Sequence, residues 1–166
     1  MFELFKKEIN SFLSSMTGYL IIVVFLITNG LLMWVISSEY NILENGYAQM
    51  DSLFILAPIL FLIFIPAITM RLFTEEHKQG TMELLVTKPL SALDIVLGKY
   101  FSGLTLVFLS IVPTFIYYLS VYQLGEIKGN LDSAGIIGSY IGLFLLASGF
   151  VAIGTFSSAI NKNQIS

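Results

Sequence analysis

The one histidine of the chain, His77, sits among charges in Glu75-Glu76-His77-Lys78, and there is no cysteine. A zinc site needs several nitrogen or sulfur ligands held together, so His77 reads as a solvated surface group and not as a ligand or general base. No Gly-x4-Gly-Lys-[Ser/Thr] loop is present to cradle the phosphates of ATP. An intramembrane serine protease would place Lys or His at bilayer depth, and an aspartyl one would place two Asp there. No ionisable side chain falls inside any of the long apolar runs. The same gap weighs against a carrier driven by protons or ions, which uses such groups as relays. The polar residues Thr28, Asn29, Thr105, Ser110 and Thr114 in the first and third runs are expected to hydrogen-bond between helices. No catalytic, cofactor-binding or metal-ligating residue is assigned, and the chain reads as a non-enzyme.

What surrounds these residues sets the fold class. Of 166 residues, 56% are hydrophobic and only 11% charged, and the mean hydropathy is +0.86. A soluble domain carries about 25% charged residues. Charges are absent from 9–38, 52–70, 100–125 and 133–161, and each stretch exceeds the roughly 18 residues that signal a membrane helix. The prediction is an all-α polytopic membrane helical bundle. Its spans are 18–38, 52–79 with an extension beyond the membrane, 92–124, and 134–160. A net charge of −3 excludes a basic nucleic-acid binder. The first apolar core, 18–36, is too long for a signal peptide and is followed by no small-residue cleavage site. Pro58, Pro66 and Pro113 are expected to kink their helices.

Two further helix surfaces stand out. Phe2, Phe5, Ile9, Phe12, Leu13 and Met16 recur at helical spacing opposite Glu3, Lys6, Lys7, Asn10 and Ser14, predicting an interfacial helix over 1–16. In the fourth span Ala134, Gly138 and Gly142 form a small-residue stripe suited to close helix packing. Seven of the eight Lys and Arg lie in the N-terminal segment, in 71–99 or at Lys162. The positive-inside rule therefore places those segments in the cytoplasm. Trp34, Tyr117, Tyr118 and Tyr122 then fall near the outer interface.

The segment between the second and third spans divides by local rules. Gly80 ends the extension of the second span, Thr81 caps a short helix over 81–88 with Glu83 in its first turn, and Pro89 stops it. Ser91 and Asp94 form a capping box for the next helix. A helix this short needs something to pack on, and its Met82, Leu84, Leu85 and Val86 suggest a protein partner.

These residues carry a resemblance. Arg71, Thr74, Glu75, Glu76, Gly80, Thr81, Glu83, Leu84, Leu85, Thr87, Pro89 and Ser91, followed by Asp94-Ile95-Val96-Leu97-Gly98-Lys99-Tyr100, resemble the ABC-2 type permeases of ABC transporters. The pattern is most like the gliding-motility-associated permease subunits of Bacteroidetes. Gly129-Asn130-Leu131-Asp132 and the run from Gly138 to Asn163-Gln164-Ile165 extend the similarity over essentially the whole chain.

The resemblance implies a six-helix permease half in a bacterial inner membrane with a cytoplasmic N-terminus. That half would pair with a second half and with ATP-binding subunits that carry the ATP and Mg. The segment 1–16 resembles the family's elbow helix, and 81–88 its coupling helix. Glu75, Glu76, Gly80, Thr81, Glu83, Leu84, Leu85 and Pro89 would dock the ATPase. This sequence departs from the family in showing four spans of the six. The expected function is a permease subunit coupling ATP hydrolysis on a separate chain to export, or to motility or secretion machinery. The alternatives are a non-transporting membrane anchor for such an ATPase and an ion-coupled secondary carrier. The expected contacts are an ABC ATP-binding subunit, a second permease half and membrane lipid, with no nucleic acid and no cofactor on this chain.

Overall fold

The computed structural model describes residues 2–79, 91–125 and 130–160. Among them the chain is helical, with no strand: α1 (Phe2–Leu13), α2 (Met16–Trp34), α3 (Ile42–Asn45), α4 (Asp51–Gln79), α5 (Ala92–Ile111), α6 (Phe115–Leu124) and α7 (Ser133–Ile160). Three segments are long and apolar enough to cross a membrane: Asp51–Leu72, Leu93–Leu124 and Ser133–Ile160. A fourth is available if α1 and α2, bent by 66°, act as one span.

Local chemistry explains the joints. Ser15 caps α2, accepting from the Gly18 amide at 3.2 Å. Gly18 is required there, since a Cβ would overlap the Phe12 carbonyl and stand 2.6 Å from its ring. The Phe12 end of α1 can therefore fold down against the start of α2. Asn41 caps α3, accepting from the Leu43 and Glu44 amides at 2.9 and 3.3 Å, and Gly46 closes it at φ +69°. The Ser91–Asp94 capping box opens α5.

The prolines behave differently from one another. Pro113 lacks the N–H needed to continue α5, and the chain tightens into a 3-10 turn over Val112–Thr114 before α6. Pro58 and Pro66 lie within α4, which runs on as a single helix through both.

The core lies between α4 and α7, the most extensive helix pair. Ile136, Tyr140, Leu143, Ala147, Val151, Thr155 and Ser158 form one buried stripe along α7. It packs toward Leu53, Ala57, Phe61, Ile65 and Ile68 of α4. The opposite surface of α7 stays apolar, with Ile137, Ile141, Leu145, Ile153 and Phe156 exposed. Helices apolar on both sides belong in lipid.

One expectation needs correction, that of the intramembrane polar residues, and the packing of α1 adds a detail. On α1 Leu4 and Phe12 bury, while Phe2 is exposed. The face turned inward is the one that packs on α5. Among the intramembrane polar residues, Asn29, Thr105 and Ser110 donate to carbonyls of their own helices, at Phe25, Phe101 and Leu106. Such back-bonding uses a side-chain donor without a second helix, though the Asn29 Oδ1 stays buried with no hydrogen-bond partner among the described residues. Thr114 does cross, its hydroxyl lying 3.1 Å from the Tyr140 hydroxyl on α7.

Candidate functional site

The end of α4 that leads toward segment 80–90 is held by a polar cluster. Lys99 of α5 is 0% exposed, and its ammonium donates to Glu8 Oε1 of α1 at 2.9 Å and to the Leu72 carbonyl of α4. A buried ammonium is tolerated only when paired and hydrogen-bonded. Here the carboxylate of one helix and the backbone of another serve that need together. Glu8 sits one turn from both Leu4 and Phe12, on the inward face of α1.

One residue earlier, Arg71 donates from Nη1 to Ser15 Oγ at 2.7 Å, and its guanidinium lies 5.6 Å above the Phe12 ring. Ser15 Oγ in turn donates to the Phe12 carbonyl at 2.8 Å while accepting from Gly18. The hydroxyl is thereby used as donor and as double acceptor. One residue earlier again, the Met70 carbonyl accepts from Ser158 Oγ of α7 at 3.2 Å. Three consecutive residues of α4 are thus each tied to a different element: Met70 to α7, Arg71 to the α1–α2 turn, and Leu72 to α5 and through Lys99 to α1.

This collar ties the last turns of α4 to α1, α5 and α7. Among the described residues no group of three or more His, Cys, Asp or Glu is placed to hold a metal ion.

The family model described as ABC-2 family transporter protein matches residues 3–165. The chain belongs to the ABC-2 transporter family. Searches of curated proteins and of solved structures each return no match. ABC-2 chains are the membrane permease components of ABC transporters, non-catalytic themselves. The family implies an ATP-binding partner and a dimeric arrangement in general. The three apolar spans agree with a multi-pass membrane protein.

In this ABC-2 chain, Glu75 and Glu76 fall in the last turns of α4. Gly80, Thr81, Glu83, Leu84, Leu85 and Pro89 lie outside the described residues. Ala134, Gly138 and Gly142 lie together on the exposed side of α7, where a Cβ at Gly138 or Gly142 would meet nothing within 4 Å. A close approach of α7 to α4 occurs at Gly154, against Thr69.

Sequence reasoning missed Glu8, Ser15 and Lys99. One signal was available: Lys99 opens an apolar run in which no other charge follows until Glu126, so it must find an anion near the membrane edge. Which anion it finds, 91 residues away, is a tertiary fact.

Proposed function

We propose that this ABC-2 chain is the membrane subunit on which a separate ATP-binding subunit docks through segment 80–90. ATP and Mg would be held by that partner, and the free energy of its nucleotide states would bias the permease through differential contacts. The collar at Met70, Arg71 and Leu72 carries this reading, because a docking segment transmits force only if its base is anchored to the bundle. The Lys and Arg distribution supports a cytoplasmic N-terminus and a cytoplasmic 80–90 segment in a bacterial inner membrane. Glu75, Glu76, Gly80, Thr81, Glu83, Leu84, Leu85 and Pro89 are the proposed docking residues, and a second permease half completes the assembly. The resemblance of the Arg71–Ser91 pattern to gliding-motility-associated subunits favours motility or secretion machinery as the system served.

The test is co-purification of the ATPase at matched expression. Leu84→Asp with Leu85→Asp would place charge in an apolar contact, costing several kcal/mol. ATPase binding is expected to be lost without change in membrane insertion. Retention of the ATPase at the wild-type level would remove 80–90 as the docking element.

A further inference from the structure

We infer that Lys99, with Glu8, is a positioning pair that makes α1 move with the docking segment when the partner changes nucleotide state. This rests on the docking role proposed above and extends it from α4 to the N-terminal helix. Segment 80–90 is bracketed by two helical arms. From Leu72 to the end of α4 at Gln79, and from the start of α5 at Ala92 to Lys99, each arm is about seven residues, or roughly 10 Å at the helical rise. The two arms meet where the Lys99 ammonium donates to the Leu72 carbonyl.

The third member at that meeting point is α1, held by its carboxylate at 2.9 Å. Lys99 is 0% exposed and the Glu8 side chain 11% exposed, so water cannot readily substitute for either partner. Displacing the two arms without α1 would break a desolvated ion pair. Arg71 adds a second tie one residue away, through Ser15 and the Phe12 face at the far end of α1. With α1 gripped at Glu8 and at Phe12–Ser15, a tilt of the arms carries the helix as a lever instead of sliding past it. Exposed Lys6 and Asn10 lie on its outer side.

The experiment uses the assembled complex with its ATPase; these 166 residues contain no Cys, and labelling is done on the permease before it is combined with the ATPase. An environment-sensitive fluorophore is placed on a Cys at Asn10 in one preparation and at Gln79 in another. Each is read with ATP, and with ATP trapped by vanadate. In the wild-type background both positions are expected to report the nucleotide change. In Lys99→Met and Glu8→Ala the response at position 10 should fall several-fold, while position 79 keeps its response. Glu8→Gln keeps an acceptor for the ammonium and should retain more of the position-10 signal than Glu8→Ala.

A merely structural role would lower thermal stability while leaving the response per assembled complex unchanged. That result, or a wild-type-sized response at position 10 in Lys99→Met, overturns the inference. So does a wild-type complex in which position 79 responds and position 10 does not. If Lys99→Met fails to assemble, the graded pair Glu8→Gln and Glu8→Ala decides. Failure of the wild-type chain to bind any ATPase would instead refute the docking role itself.

Discussion

Thr69 of α4 occupies the space that a side chain at Gly154 of α7 would need: a Cβ there would overlap Thr69 Oγ1 and stand 2.9 Å from Thr69 Cβ. Thr69 is itself fully buried, its hydroxyl donating back to the Pro66 carbonyl at 3.3 Å. The α4–α7 seam is therefore set by the absence of one methyl group. Gly154→Ala should destabilise the chain by about 1–3 kcal/mol, the usual range for overpacking. Adding Thr69→Ala should recover part of the loss. Thermal unfolding of the single and double variants in detergent measures the coupling; additive losses would contradict the contact.

Gly138 and Gly142 should behave in the opposite way. An added Cβ at either meets open space, so Gly138→Ala and Gly142→Ala should leave the isolated chain as stable as before. Alanine's better helix propensity could raise stability by up to about 1 kcal/mol. A drop comparable to that of Gly154→Ala would show that the stripe packs within the chain.

The Tyr117 hydroxyl of α6 donates to the Leu26 carbonyl of α2 at 2.9 Å, and Gly30 leaves room for it, with the phenol oxygen 3.2 Å from where a Cβ would be. Tyr117→Phe should cost about 0.6 kcal/mol, the average for interhelical hydrogen bonds in membranes. Gly30→Ala should shift the same melting transition in the same direction. If both leave it unmoved, α2 is not fastened to α6 at this point.

The topology proposal has a direct test. Single cysteines at Asn45 and at Asn130, both exposed, should react with a membrane-impermeant thiol reagent added to intact cells. One at Gln79 should react only after the cells are opened. Labelling of position 79 from outside would invert the proposed orientation.

Four charge-free apolar stretches determined the class of this protein without any structure, because hydrocarbon accepts long helices and rejects charge. Local signals were equally legible: the Ser91–Asp94 box observed at the start of α5 depends only on neighbours in sequence. The choice of inward face was not legible. In lipid both sides of a helix are apolar, so hydropathy does not distinguish Gly154, which packs within the chain, from Gly138, where a Cβ would meet no atom of the chain within 4 Å. On α1 Leu4 and Phe12 bury, with Glu8 between them reaching Lys99, a pairing that helical spacing alone does not contain. Only the tertiary structure decides such pairs, because an ion pair between residues 91 positions apart is chosen by which helices pack together.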